Sequence, residues 1–236
     1  MSGRSGLSHD ADPVAAVLAE IPLFQVLGES GIRDTARAGL NRRYRSGQII
    51  FHQGDPGESL YVLLDGLVKV VFTTEHGDEI VLNMLGRGDT FGEMALLDDS
   101  PRSASIVTAR PSWVFALPRA RLLELMREHP GLADEFLRML GRMVRRLTDQ
   151  AADLAFLDLG GRLAKLLLQL AEKHGRSGQV VDLPGLTQSD LAALIGASRP
   201  AVNRALQSLV ARNLIAVEGR TIRLLDVAAL RRRGGL

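Results

Sequence analysis

The chain has 236 residues, 46% hydrophobic and 24% charged, a globular mix that excludes a wholly disordered chain and fits one or two domains. Cysteine is absent, so no disulfide, Cys-ligated zinc, iron–sulfur cluster or thiolate nucleophile is available. The net charge of +2 is unevenly spread: residues 160–236 hold 12 Lys/Arg against 5 Asp/Glu, and residues 1–159 hold 17 against 22. A basic C-terminal third beside an acidic remainder suggests a nucleic-acid module joined to something else; a chance imbalance between solvated faces is the plainer alternative. Met1 to Pro13 lack an apolar core, so no signal peptide is expected. No run approaches the ~18 apolar residues of a membrane helix, and a soluble cytoplasmic protein is expected.

In chain order, Val14, Val17, Leu18 and Ile21 sit at helical spacing and predict short helices over 14–40. From Arg45 to Pro118 short β-branched runs alternate with glycine turns. The runs are 48–51, 59–64, 67–72, 79–85, 104–109 and 113–117; Asp65-Gly66 and Gly86-Arg87-Gly88-Asp89 are among the turns. Strands at such spacing predict a barrel or sandwich. Helix returns over Arg119–Glu128, is broken at His129-Pro130-Gly131, and resumes from Leu132 to Leu157. There Phe136, Leu140, Met143, Leu147, Leu154 and Leu157 step by four and three, with Gln150 as the missed position. That spacing predicts a coiled-coil seam between two copies; packing on the helix's own domain is the alternative.

A helix over Gly161–His174 and a loop over Gly175–Pro184 follow. Thr187-Gln188-Ser189-Asp190 reads as a capping box opening a short helix to Ile195. Gly196-Ala197 turns the chain, and Ser198 caps a second helix to about Ala211, with Pro200 in its first turn. Two helices about a short glycine-containing turn predict a helix-turn-helix. Residues 214–217 and 221–225 form the arms of a β-hairpin wing, and Arg231-Arg232-Arg233 closes the chain.

Two segments carry binding chemistry. In Gly92-Glu93, glycine lets backbone approach a ligand while the carboxylate accepts from a hydroxyl. In Arg102-Ser103, a guanidinium fork and a hydroxyl suit a phosphate. A short helix over Met94–Leu97 would aim its N–H groups at the same anion. A Glu–Arg pair merely closing a loop is the alternative. In the second segment, Arg199 and Arg204 can each donate bidentately to guanine O6 and N7. Ser198, Thr187 and Ser189 can donate to phosphates, and Asn203 suits an adenine or a phosphate. An enzyme is not expected. Asp98 and Asp99 read as solvated loop acids, and Ser198-Arg199-Pro200 lies in no nucleophile elbow. The histidines, His9, His52, His76, His129 and His174, are scattered, so no metal site is expected.

The Gly92–Ser103 segment closely resembles the phosphate-binding cassette of the CRP/FNR family of bacterial transcription regulators. The resemblance runs from about residue 20 onward. It includes the glycine-punctuated strands, the long helix, Leu154-Ala155-Phe156-Leu157-Asp158, Gly161-Arg162-Leu163-Ala164 and Gly196-Ala197-Ser198-Arg199. It implies an α+β fold in three parts. These are a cyclic-nucleotide-binding β-roll (a double-stranded β-helix, jelly-roll-like) with flanking helices over 1–131, a dimerisation helix and hinge over 132–159, and a winged helix-turn-helix over 160–236.

By the same resemblance, Glu93 binds the ribose 2′-hydroxyl of cyclic AMP and Arg102 the cyclic phosphate. Ser103 adds a phosphate contact, Gly92 gives the sugar room, and Met94 and Ala95 complete the cassette. Thr148 reaches the adenine held by the partner subunit. Leu147 stands where the family carries a second polar residue, and Met143 where it often carries Arg. Three effector readings stay open: cyclic AMP bound weakly, another cyclic nucleotide or small ligand, or none. The absence of cysteine excludes the oxygen-sensing iron–sulfur branch. Double-stranded DNA bearing an inverted repeat, a second copy of the chain and RNA polymerase are the implied partners. Ala201 joins the DNA-facing set of Thr187, Ser189, Ser198, Arg199, Asn203 and Arg204. Pro200 replaces a common Glu that accepts from cytosine. A sensor module without DNA binding is the remote alternative.

Overall fold

The structure is a computed structural model of the single chain and describes residues 12–174, 180–182, 187–219 and 221–236. Helices α1 (Pro13–Glu20), α2 (Pro22–Gln25) and α3 (Gly28–Ala38) come first. They lead into β1 (Leu40–Tyr44), β2 (Ile49–Phe51), β3 (Ser59–Thr73), β4 (Glu79–Gly86) and β5 (Thr90–Phe91), then α4 (Met94–Leu97) and β6 (Ser105–Pro118). Helices α5 (Arg119–Glu128), α6 (Pro130–Phe156) and α7 (Leu159–His174) follow. The remainder is β7 (Val180–Asp182), α8 (Gln188–Leu194), α9 (Arg199–Ala211), β8 (Ile215–Glu218), β9 (Thr221–Leu224) and α10 (Val227–Arg233). The chain forms two compact units, Met1–Val68 with Leu85–Leu140, and Lys69–Met84 with Gly141–Leu236.

The larger sheet has the strand order β1-β6-β3-β4, with β2 on β6 and β5 on β3; the end of β3 and most of β4 fall in the second unit. Strand β1 runs antiparallel to β6 from Leu40↔Ala116 to Tyr44↔Ser112, and β3 to β5 through Tyr61↔Phe91 and Val62↔Thr90. The core forms where Leu60, Val62 and Leu64 of β3 and Phe115 and Leu117 of β6 meet the apolar stripes of the helices. Those stripes bring Val17, Leu18 and Phe24 from the first two helices, and Leu122, Leu125, Leu132 and Phe136 from α5 and α6. In the second unit, Leu163 and Leu167 of α7, Leu191 of α8, Val202, Leu206 and Leu209 of α9 and Leu230 of α10 are buried. Beside them stands the antiparallel sheet β7-β9-β8, whose Ile222 and Leu224 are also buried.

The structure corrects several sequence expectations. Asp65-Gly66 is not a turn: β3 runs through it as one 15-residue strand. Gly66 has φ +111°, and a Cβ there would stand 2.3 Å from Ser112 Oγ, so the glycine serves close strand approach rather than reversal. The runs 104–109 and 113–117 likewise belong to one strand, β6. Leu40 opens β1 instead of closing a helix, and residues 180–182 of the expected loop form β7. The rest of that loop and Arg220 lie outside the described residues. The long helix begins at Pro130, where the missing N–H needs no partner, and α10 was not foreseen.

The seam also shifts. Phe136 is only 2% exposed because it packs into its own unit's core. The apolar residues that α6 leaves more than half exposed are Leu137, Val144, Leu147, Leu154 and Phe156. With the half-buried Leu140 and the exposed Ala151, the first four of these step by three and four along one stripe without a polar interruption, so Gln150 is not a defect in it.

Candidate anion pocket and nucleic-acid interface

The Gly92–Ser103 loop is built around Arg102. Its backbone is pinned by hydrogen bonds from Arg102 N to Asp55 O at 2.8 Å and from Gly54 N to Arg102 O at 2.9 Å. The residue is 4% exposed. One guanidinium nitrogen donates to Gly92 O at 2.6 Å and the other to Ser59 O at 2.9 Å. The guanidinium lies over the Phe51 ring at 4.4 Å and near the Tyr61 ring at 5.4 Å, while Tyr61 stacks on Phe91 at 5.2 Å. Burial lowers the Arg102 pKa from its ordinary value, opposed by Tyr61 and by the charges of Glu93 and Asp55. Burial likewise raises the Tyr61 hydroxyl.

Arg102 Nε is buried with no hydrogen-bond partner. A buried charged donor left unmade is costly, and an anion's oxygen is the group that would satisfy it. A cavity of about 330 Å³ opens at this point, lined by Phe51, Asp55, Ser59, Tyr61 and Arg102 among others, a volume suited to a small ligand. A larger groove of about 760 Å³ lies among Asp99, Ser100, Arg119, Glu124 and Arg127. Arg102 does not line it, so the smaller cavity is the candidate anion site.

The other cassette residues gather nearby. Gly92 has φ +80°, and a Cβ there would stand 2.6 Å from the Arg102 guanidinium, so only glycine fits this approach. Glu93 is buried and flanks α4. Ala95 is buried against Gly57, whose added Cβ would meet the Ala95 Cβ at 2.2 Å. Met94 is exposed, and its sulfur accepts from Ser103 Oγ at 3.6 Å. Thr148 belongs to the second unit, on the exposed part of α6, and its hydroxyl donates to Val144 O at 3.0 Å. Sequence reasoning missed Phe51, Ser59 and Tyr61. They lie 40 or more residues before Arg102 and carry no motif, so only strand pairing brings them to it.

In the second unit the expected capping box is formed. Asp190 N donates to Thr187 Oγ1 at 3.2 Å, while Thr187 N and Oγ1 both donate to Asp190 Oδ2 at 2.8 Å. Ser189 is exposed on α8. Ser198 caps α9 by accepting from Ala201 N at 3.4 Å, which leaves the Ser198 hydroxyl proton for another acceptor. Helix α9 buries Val202, Leu206 and Leu209 and turns Arg199, Pro200, Arg204, Gln207 and Ser208 outward. Arg199 and Arg204 have no ion-pair partner among the described residues. Asn203 is half-buried, and its Oδ1 is buried without a partner. Gln207, one turn past Arg204 on the exposed face, was not singled out; its spacing from Arg204 was the available signal.

Among the described residues no His/Cys/Asp/Glu group is placed to hold a metal, and no helix is long and apolar enough to cross a membrane. Comparison with known proteins matches the cyclic nucleotide-binding domain over residues 41–129 and the Crp-like helix-turn-helix domain over residues 161–233. A CRP-like cAMP-activated global transcriptional regulator of Mycobacterium tuberculosis is 34% identical over 224 residues, covering 92% of this chain and 98% of that protein. The cyclic AMP receptor protein of Thermus thermophilus is 35% identical over 210 residues, covering 89% and 94%. The solved structure of the c-di-GMP responsive global regulator of Xanthomonas campestris matches with a TM-score of 0.66 at 28% identity, covering 83% and 98%. With a cyclic nucleotide-binding domain, a long helix and a DNA-binding helix-turn-helix in that order, the chain belongs to the CRP/FNR family of transcription regulators.

Proposed function

We propose that this regulator binds a cyclic nucleotide, with cyclic AMP as the first candidate, and that the ligand controls its binding, as a homodimer, to an inverted-repeat operator. The observation that carries this reading is the buried Arg102 guanidinium with an unpartnered Nε on a cavity of ligand size. In this reading Arg102 and Ser103 grip the phosphate and Glu93 accepts from the ribose 2′-hydroxyl. Gly92 supplies the approach, while Met94 and Ala95 shape the wall. Thr148 meets the base from the partner's helix. The exposed α6 stripe through Val144, Leu147 and Leu154 pairs the two copies. On the DNA, Arg199 and Arg204 read guanines and Ser198 and Ser189 donate to phosphates, while Thr187, whose hydroxyl and N–H both donate to Asp190, has no proton left for a phosphate and holds the start of α8. Asn203 and Ala201 lie along the groove wall.

Leu147 favours a second reading in which the base differs from adenine, because an apolar side chain offers a base no hydrogen bond. Calorimetry with cyclic AMP, cyclic GMP and cyclic di-GMP, paired with DNA binding on the same preparation, separates the readings. Heat from cyclic AMP together with tighter DNA binding supports the first. Heat only from another nucleotide supports the second, and no heat from any leaves an effector-independent regulator.

A further inference from the structure

The family resemblance implies a hinge ending at residue 159. Within the second unit, α6 ends at Phe156 and α7 begins at Leu159, so only Leu157 and Asp158 join them. Two ion pairs tie this junction. Lys165 Nζ of α7 donates to Asp153 Oδ1 of α6 at 2.7 Å, a shielded pair with side-chain exposures of 14% and 23%. Asp158 caps α7 by accepting from Gly161 N at 2.7 Å, and its two oxygens also accept from one Arg233 guanidinium nitrogen at 3.4 and 3.0 Å. Arg233 closes α10, which is held to the unit by the fully buried Leu230 and by the 3.0 Å pair of Arg231 with Glu172 of α7. Two glycines make room for it. A Cβ on Gly160 would stand 2.4 Å from the Arg233 guanidinium, and one on Gly161 2.7 Å from the Arg233 carbonyl oxygen. Neither glycine has a positive φ, so both serve close approach and not an unusual backbone. The helix-turn-helix rests on both helices of the junction. A Cβ on Gly196, in its turn, would meet Leu154 of α6 at 3.4 Å and Arg162 of α7 at 3.7 Å.

We propose that α10 is a brace across the α6–α7 junction and that Arg233 is a positioning residue for DNA recognition, holding Asp158 as the cap of α7 and so fixing the direction in which the helix-turn-helix leaves α6. The guanidinium seated on Gly160 keeps the Asp158 carboxylate in the one rotamer that reaches Gly161 N. An inverted repeat has to be met by two such domains at once. A loosened junction spreads each domain over several directions, only a fraction of which span both half-sites, and the apparent affinity falls by that fraction. A single half-site engages one domain and makes no such demand. Arg233 therefore acts on the full repeat and not on base or phosphate contacts. This role rests on the proposed homodimer at an inverted repeat; the brace itself does not.

The test is DNA-binding anisotropy on two duplexes, one with the selected inverted repeat and one with a single half-site, in one buffer and in the nucleotide state that binds DNA tighter. Arg233→Ala is expected to bind the full repeat about threefold more weakly than wild type and the half-site equally. Gly160→Ala keeps every charge but displaces the guanidinium, so it should show the same loss. Added to Arg233→Ala it should cost nothing more, because the seat is then empty. Arg233→Lys keeps a cation for Asp158 and should recover most of the affinity. Equal losses on both duplexes would make Arg233 a phosphate contact and overturn the proposal. So would no loss on the full repeat, additive losses in the double variant, or an Arg233→Lys no better than Arg233→Ala. Hydrogen exchange supplies a readout without DNA. The Gly161 amide should exchange faster in Arg233→Ala than in wild type and recover in Arg233→Lys; identical rates in all three overturn the brace. If wild type is monomeric, or binds the repeat no better than the half-site, the proposed function fails, while Gly161 exchange still decides the brace.

Discussion

Arg102 sits where three physical demands meet. It is buried, it is charged, and its two terminal nitrogens donate to the backbone carbonyls of Gly92 and Ser59. Replacing it by alanine removes the charge-assisted fork, an effect of ~1.5–3 kcal/mol, so nucleotide affinity should fall by at least tenfold in calorimetry. The same change frees the two carbonyls and opens space under Phe51 and Tyr61. The melting temperature should therefore also fall, whereas Ser103→Ala, at an exposed position, should weaken the nucleotide without that loss. The sequence marks Arg102 and Gly92 as a pair through their motif. It does not mark the aromatic lining, because Phe51, Tyr61 and Phe91 are ordinary strand residues until pairing sets their rings together.

At the scale of elements, the long helix carries two apolar stripes. One, through Leu132 and Phe136, faces its own core; the other, through Leu137, Val144, Leu147 and Leu154, faces outward. Val144→Asp with Leu154→Asp should give a monomer in light scattering, since each buried aliphatic lost costs ~2–5 kcal/mol of association. Met143→Asp, off the stripe, should leave the dimer intact. The capping box of α8 makes a separate prediction about pH. Burial alone would raise the Asp190 carboxyl, but hydrogen bonds from Lys69 and Thr187 outweigh it and hold the group below its ordinary range in the folded chain. Its stabilisation is therefore present above about pH 4 and is lost as pH falls through the folded value. Asp190→Asn should lower the melting temperature at pH 7, and the gap from wild type should close as pH falls below about 4.

At the scale of the whole molecule, the two-fold symmetry of a dimer calls for an inverted repeat with half-sites about one helical turn apart. Pro200 has no side-chain acceptor, so selection from a random DNA pool should find that position tolerant. Pro200→Glu should sharpen it toward a C·G pair. Arg199→Ala and Arg204→Ala should each relax one guanine, a loss of ~1–3 kcal/mol of discrimination. An asymmetric selected site, or guanine preferences that survive both substitutions, would show that other residues occupy the groove. Gln207, exposed one turn beyond Arg204, is the next candidate.

Local patterns were legible in the chain alone. Helical periodicity, the Thr187 capping box and the Ser198 cap each depend on residues within about a dozen positions, and each stands in the structure; Gly92 and Arg102, ten positions apart, are joined by a hydrogen bond. What needed tertiary structure was everything settled by a distant partner. Gly66 looks like a turn until Ser112 is seen pressed against it from β6. Phe136 looks like a seam residue until its own core claims it, because periodicity reports which residues are apolar and not what covers them. Lys69 and Asp190 are 121 positions apart and carry no shared motif; only the folded chain sets an ammonium against that carboxylate.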